Sequence, residues 1–567
     1  MVGMTSATRS IIAATLTTLA LTGLASALPA TAALPAPAAA AKPTPAAPAA
    51  KATPGLTVKE AARLADRVPA PSLHWTTCRK TAQCATAELP LNYNHPAGAK
   101  IRLALLRIKA KDPRHRLGTI FVNPGGPGDS ARDFAFSATE PPALPNVILN
   151  RFDIVGVDPR GIGGSTPIRC FATSKERTRA EAPFTAIGFP VTKAQQQSWI
   201  QAATELGRSC ATTGEPTAGA MSTTDDALDM DVLRRAVGDR KLTYLGVSYG
   251  SYLGLVYANL FPGRVRAIVI DGIVDPQAIV GTPATARVPA FDRMGAAAAS
   301  YRVLRELLQL CQKAGQSKCP FAAPGTKTAA RYAGLTAQLK AHPLRLSAPG
   351  IKPTTFGYAD MVADTEHWMH FPSGYKGLFP ELAALAQLAA PGGGGSNHAA
   401  LVKTLLRFHD ALQPGPTPAN HLEAQSGVQC ADSLNAVNAA SWPAAAAAAD
   451  RSARYFGAMY AWLSVQCARS TWPRSDESAY QGPFDHRTSA PVLVIGSRWD
   501  PATSYDNAVK VARRLPSSRL VSSDNWGHTA LLTSACVDNT TFNYLLHPLA
   551  RAPKVTHCRG DIQPFAP

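Results

Sequence analysis

After residue 24, no apolar run approaches the roughly 18 residues that a membrane helix needs, so no integral span is expected. Metal-binding spacings are missing as well. There is no C-x-x-C pair and no His-Cys cluster, so no metal or other cofactor is expected. A G-x-x-x-x-G-K-[ST] loop and a G-x-G-x-x-G opening a helix are both absent, which removes the usual cradles for nucleotide phosphates. Acidic residues are scarce. The 38 Asp and Glu stand against 57 Lys and Arg, for a formal net charge of +19. These basic residues are scattered and accompany no nucleic-acid motif, so nucleic acid is not the expected partner. The charge suits solubility and electrostatic association with anionic polymers of a cell envelope.

What the sequence does have begins at its N-terminus. Arg9 precedes an apolar run from Ile11 to Leu24, followed by the small-residue sites Ala25-Ser26-Ala27 and Ala30-Thr31-Ala32. Residues 1–32 therefore read as a secretory signal peptide, and residues 33–70 as an Ala/Pro-rich leader or linker. Export implies oxidising conditions, and ten cysteines then imply disulfides whose connectivity the sequence leaves open. Pairing sequence neighbours gives Cys78–Cys84, Cys170–Cys210, Cys311–Cys319, Cys430–Cys467 and Cys536–Cys558.

Chemistry is concentrated in three places. The apolar run Leu242-Thr243-Tyr244-Leu245 leads into Gly246-Val247-Ser248-Tyr249-Gly250 and then into a helix former, which is the strand–turn–helix of a nucleophile elbow. A β-carbon at 246 or 250 would collide with the neighbouring strand or helix. Near the C-terminus, Pro491 to Gly496 reads as a buried strand, and Asp500 sits in the loop it enters. A helix from Tyr505 to Leu515 and a last strand near Arg519 to Val521 follow, and then Asn525-Trp526-Gly527-His528. Serine is a poor nucleophile until an imidazole takes its proton, and that imidazole needs a carboxylate to fix its tautomer. Ser248, Asp500 and His528 supply the three in the order nucleophile, acid, base. Asp271 and Asp275, after a strand from Val265 to Ile270, are rivals for the acid. The third place is the strand Gly118 to Val122, which empties into Asn123-Pro124-Gly125-Gly126-Pro127-Gly128-Asp129-Ser130. Its backbone can hold an oxyanion. Gly126 is the expected first donor, with Gly125 close behind, and the N–H of Tyr249 is the second.

Together with Leu89-Pro90-Leu91-Asn92-Tyr93, the stretch Phe152 to Ser165 around Asp158-Pro159-Arg160-Gly161, and Gly496 to Thr503, these motifs resemble secreted tripeptidyl aminopeptidases. Those enzymes belong to the proline-iminopeptidase-like serine peptidases of the α/β-hydrolase superfamily. The resemblance runs over roughly residues 72–567 and departs from the pattern at Asn92, where Asp is usual, and at Asp129, where Gly is usual. Asn92 reads as structural, whereas Asp129 lies beside the oxyanion loop and bears on substrate preference. Asp158 and Arg160 read as a network that holds that loop.

The resemblance implies an α/β-hydrolase fold with a mostly parallel central sheet and a large, mainly helical lid. Expected segments are a core over 71–280, the lid over 281–485 and the rest of the core, with a disulfide-stapled tail, over 486–567. Helices are expected at Ala296 to Cys311, Phe379 to Ala390, Ala399 to Leu412 and Trp442 to Leu463. An aminopeptidase lid must offer a carboxylate to the substrate's α-ammonium, and Asp432 and then Glu366 are the candidates. Tyr249 and Trp526 flank the triad as pocket walls. The implied activity is release of short peptides, tripeptides by resemblance, from free N-termini of peptides or proteins outside the cell. A prolyl or other aminopeptidase and an esterase use the same triad. A purely binding envelope protein has no need of triad and oxyanion loop together.

Overall fold

Short runs rich in Val, Ile and Leu become strands here because both of their faces are covered. The computed structural model describes residues 55–140, 144–412, 419–472 and 479–566, so the expected signal peptide and the leader up to residue 54 lie outside it. Twelve strands occur among the described residues: β1 (Thr76–Arg79), β2 (Ala82–Pro90), β3 (Lys100–Ile108), β4 (Gly118–Asn123), β5 (Phe152–Val157), β6 (Leu242–Val247), β7 (Val265–Asp271), β8 (Leu344–Ala348), β9 (Ile351–Phe356), β10 (Val492–Trp499), β11 (Arg519–Trp526) and β12 (Val555–Cys558). Ten of them form one sheet in the order β1-β2-β3-β5-β4-β6-β7-β10-β11-β12. The β1–β2, β2–β3 and β3–β5 pairs are antiparallel, and every pair from β5 to β12 is parallel. The parallel strands thus deliver their carboxyl ends to a single edge of the sheet, where ligand sites of open α/β sheets gather.

Side chains alternate across this sheet. Phe121, Tyr244, Ile268 and Val494 enter one apolar cluster, while their neighbours Ile120, Leu245, Val269 and Ile495 enter another on the opposite face. A third cluster lies under the helices inserted between β7 and β10. Among them are Ala296–Ala314, Tyr358–Met369, Tyr375–Ala389, His398–Ala411, His421–Asp432, Trp442–Ser452 and Phe456–Trp462. We call this layer the cap.

Four expectations change. The cap also holds a β8–β9 hairpin. The helix expected from Trp442 to Leu463 is two, because the chain turns back at Tyr455 (φ 74°) and packs so tightly that a β-carbon at Gly457 would stand 2.2 Å from Ala449. Helix Val58–Asp66, within the supposed leader, is fixed by a Thr57/Glu60 capping box and buries Ala61, Leu64 and Ala65 on the core. Finally, the cap does not follow the 281–485 boundaries. Phe189 and Trp199, from the segment between β5 and β6, join its apolar cluster, and Trp199 packs edge-on against Trp462 at 6.1 Å. At the other end, Tyr480 and Phe484 belong to the sheet cluster. All ten cysteines are bonded, in the sequence-neighbour pairing. Among the described residues, no helix is long and apolar enough to cross a membrane.

Candidate active site

Ser248 occupies the sharp turn between β6 and helix Tyr249–Leu260, at φ 56° and ψ −127°. A non-glycine residue in that region is strained and needs its surroundings to hold it. Here the Ser248 N–H donates to the carbonyl of Asp271 at 2.8 Å, and its carbonyl accepts from Ser251 N–H at 2.8 Å. The flanking glycines are sterically required. A β-carbon at Gly246 would lie 2.3 Å from Gly250 O, and one at Gly250 would lie 2.6 Å from Asn123 O on β4.

His528 Nδ1 is 2.9 Å from Asp500 Oδ2 and 3.1 Å from Oδ1. Asp500 has no solvent exposure. It also accepts from the N–H groups of Ala502 and Thr503 and from Thr503 Oγ1, at 2.9, 2.8 and 2.7 Å. Burial alone pushes this carboxyl up, but the His528 charge and these donors outweigh it and hold Asp500 below its ordinary value. Burial likewise pushes His528 down. Asp500, by charge and hydrogen bond, overrides that and lifts the imidazole above its ordinary value, with smaller help from Asp271 and Glu366.

The rival acids are engaged elsewhere. Asp271 Oδ2 accepts from the N–H groups of Ala530 and Leu531, at 2.8 Å each, and so shapes the loop after His528. Its other oxygen is buried without a hydrogen-bond partner among the described residues, and burial raises this carboxyl to about 6. Asp275 caps helix Pro276–Val280 and faces Lys510 and Arg514.

On the oxyanion side, Gly125 lies against the elbow. A β-carbon there would stand 2.7 Å from Val247 O and 2.8 Å from Tyr249 N. The N–H of Gly125 is spent on Asn123 Oδ1 at 2.9 Å, while Gly126 lines the cavity beside Ser248. Asp158 holds the far end of this loop by accepting from Ser130 Oγ at 2.8 Å and Arg132 N–H at 3.1 Å. Arg160 is fully buried and clamps Asp229 at 2.7 and 2.9 Å while donating to the carbonyls of Pro90 and Leu91. Asn92 makes a local turn, accepting from Asn94 N–H at 2.8 Å.

Ser248, His528, Gly126 and Tyr249 border one cavity of about 360 Å³, together with Asp432 and Glu366 from the cap. Both Asp432 oxygens accept from Thr223, through its N–H at 3.0 Å and its Oγ1 at 2.5 Å, which pins the cap to the start of helix Thr223–Ala236. Glu366 Oε1 accepts from Tyr460 OH at 2.5 Å and lies 3.3 Å from His370 Nδ1. Its Oε2 has no hydrogen-bond partner among the described residues. Trp526 does not line the cavity. It stacks on Trp499 at 4.7 Å and donates to Gln563.

Sequence reasoning missed His370. Its carbonyl accepts the His528 N–H at 2.8 Å, and its ring meets the His528 ring at 5.5 Å. No local signal marks it beyond its place one turn after Glu366.

Fold and site together define an α/β-hydrolase with a serine-centred site. The family model of the α/β-hydrolase fold matches residues 118–303, and that of the TAP-like protein matches residues 453–558. A tripeptidyl aminopeptidase of Streptomyces lividans is 29% identical over 519 residues, covering 88% of each chain. Serine protease Hip1 of Mycobacterium tuberculosis is 29% identical, over 86% of this chain and 91% of that protein. Carboxylesterase B of the same organism is 30% identical, over 84% of this chain and 88% of that protein. The chain belongs to the tripeptidyl-aminopeptidase-like family of serine hydrolases within the α/β-hydrolase superfamily.

Proposed function

We propose that the protein is an exported serine exopeptidase that releases short peptides, tripeptides foremost, from free N-termini. The observation that carries this reading is a strained Ser248 and a His528 paired with buried Asp500, both bordering one cavity with a cap carboxylate, Glu366, whose second oxygen has no donor among the described residues. Ser248 Oγ attacks the scissile carbonyl and passes its proton to His528 Nε2. The oxyanion is held by the N–H groups of Gly126 and Tyr249. His528 then protonates the leaving amine, which departs from the acyl-enzyme. Water, deprotonated by the same imidazole, releases the peptide. Asp500 fixes the tautomer by accepting a hydrogen bond from His528 Nδ1–H throughout.

An α-ammonium inside a mostly apolar cavity needs a carboxylate. Glu366 is the first choice and Asp432 the second, the reverse of the order taken from sequence, because Thr223 already occupies both Asp432 oxygens. The relative named tripeptidyl aminopeptidase supports a tripeptide product. Ten bonded cysteines support export, and the net charge of +19 supports association with an anionic envelope.

A second reading, ester hydrolysis, is favoured by the relative named carboxylesterase B. Tripeptide anilides with free and acetylated N-termini separate the two. The exopeptidase cleaves the free form at least ~30-fold faster, since an unpaired buried charge costs about 2–5 kcal/mol. Glu366→Gln removes most of that preference. Equal rates on both forms overturn the exopeptidase reading.

A further inference from the structure

The cavity belongs to a protein of net charge +19, yet among the described residues no Lys or Arg lines it, and its charged side chains include Asp129, Glu366 and Asp432. Glu366 and Asp432 come from the cap and bond to Tyr460, His370 and Thr223. Asp129 is different in origin. It sits in the oxyanion loop itself, directly after Gly125-Gly126-Pro127-Gly128, at the position where the family resemblance leads one to expect glycine. A β-carbon built on Gly126 would stand 3.2 Å from Asp129 Oδ2, so this carboxylate lies over the residue whose N–H is assigned to the oxyanion.

A negative group so placed opposes the charge that develops on the scissile carbonyl oxygen, and the opposition is strongest where water is excluded. The protein offers limited compensation. His421 Nε2 lies 3.3 Å from Asp129 Oδ1, and its ring packs so close to Gly128 that a β-carbon there would be 3.2 Å away. Asp129 Oδ2 has no hydrogen-bond partner among the described residues, and its side chain keeps about a fifth of its surface accessible. A cation brought by the substrate completes the balance.

The geometry points to Asp129 as a specificity-determining residue that selects a lysine or arginine side chain on a substrate residue flanking the scissile bond. This rests on the exopeptidase reading above and on Gly126 as oxyanion donor. Once the carbonyl oxygen is held at Gly126, the α-carbons on either side of the scissile bond are its near neighbours, and the stem of lysine or arginine is long enough to reach the carboxylate. Arginine can pair in a fork with both oxygens, and lysine as a point charge with Oδ2. Because Asp129 is not one of the cap carboxylates, this demand is separate from that for a free N-terminus.

The test compares lysine with norleucine, which has a similar aliphatic stem and no charge. One series of tripeptide anilides varies the residue before the scissile bond. A second series, of tetrapeptides followed by mass spectrometry, varies the residue after it. All substrates keep a free N-terminus. Wild-type enzyme prefers lysine in kcat/KM by about 10-fold or more in one series, and which series responds tells the side on which Asp129 acts. In Asp129→Asn the ratio collapses to within about 2-fold, the loss falling on the lysine substrate. A wild-type ratio near one in both series overturns the inference without recourse to any variant, and so does a ratio that survives in D129N. In both cases cleavage of the norleucine peptides leaves the exopeptidase reading standing. Failure to cut any of the peptides sinks that reading and takes this inference with it.

Discussion

Two adjacent strand ends, those of β7 and β10, each carry a fully buried aspartate, and the two carboxyls behave in opposite ways. The strands are paired, with Ile495 opposite Asp271, and Asp500 follows immediately after β10. Both residues are completely shielded from solvent. Asp500 is nevertheless held below its ordinary value and Asp271 is raised to about 6. Depth therefore does not decide the charge of a carboxyl. Asp500 has donors on both oxygens and an imidazole that carries the countercharge, whereas Asp271 has two N–H donors on one oxygen and, among the described residues, none on the other. One strand end is furnished to keep a charge, and its neighbour to shape a loop.

The sharpest way to break this contrast is to exchange the charges. Asp500→Asn is expected to lower kcat by roughly 10⁴, because the amide favours the wrong imidazole tautomer. Asp271→Asn is expected to lower it far less. The reverse ranking in steady-state kinetics would transfer the triad acid to β7.

The loop that Asp271 shapes is also anchored from behind, since Leu532 N–H donates to Asp538 on the helix that carries Cys536. Replacing Cys536 and Cys558 together by serine should cost about 3 kcal/mol of stability in urea unfolding. Activity should fall in step with the folded fraction. An unchanged unfolding midpoint would mean that Asp271 holds the loop unaided.

A smaller effect is expected at Thr503, whose hydroxyl donates to Asp500 Oδ2 at 2.7 Å. Thr503→Val removes that donor at nearly constant volume. It should cost about 1–2 kcal/mol of transition-state stabilisation, roughly 10-fold in kcat. No change would show that the backbone donors and His528 suffice.

The smallest effect is in pH dependence. Asp271 is raised from 3.8 to about 6 on folding, so the folded state holds its proton more tightly. Its contribution to stability is complete below pH 3.8 and is lost as pH rises through about 6. Asp271→Asn should flatten that decline in unfolding free energy measured across this window. Asp271 also helps to raise His528. Removing its charge should shift the acid limb of kcat/KM to lower pH by a few tenths of a unit. A shift to higher pH would contradict the assigned sign.

The sheet was legible in the sequence because its central strands are buried on both faces and read as short apolar runs, as in Val492 to Ile495. The order Ser248, Asp500, His528 was legible for a related reason: each stands at the carboxyl end of a recognisable strand. The cap was legible only as helices. An amphipathic stripe says that a face is buried, not against what, so nothing in Phe189 or Trp199 announced that a segment from between β5 and β6 packs under the cap. The same limit applies to Asp432 and Glu366. Their value to a substrate depends on whether another chain segment has already claimed their oxygens, and Thr223 is more than two hundred residues from Asp432 in sequence.

The contact between His370 and His528 has a consequence for how such an enzyme can be dissected. The cap backbone bonds directly to the catalytic loop, and Gly527 is bare because a β-carbon there would lie 2.7 Å from His370 O. The cap is therefore a wall of the machine and not a removable attachment. A trimmed chain in which β7 is spliced to β10 would keep every residue of the triad and lose the surface on which its histidine rests. Miniaturisation by removing the cap is closed to this architecture at that seam. The same cap also supplies part of the lining of the cavity that leads to Ser248, so cutting it away would open the site as well as unseat His528.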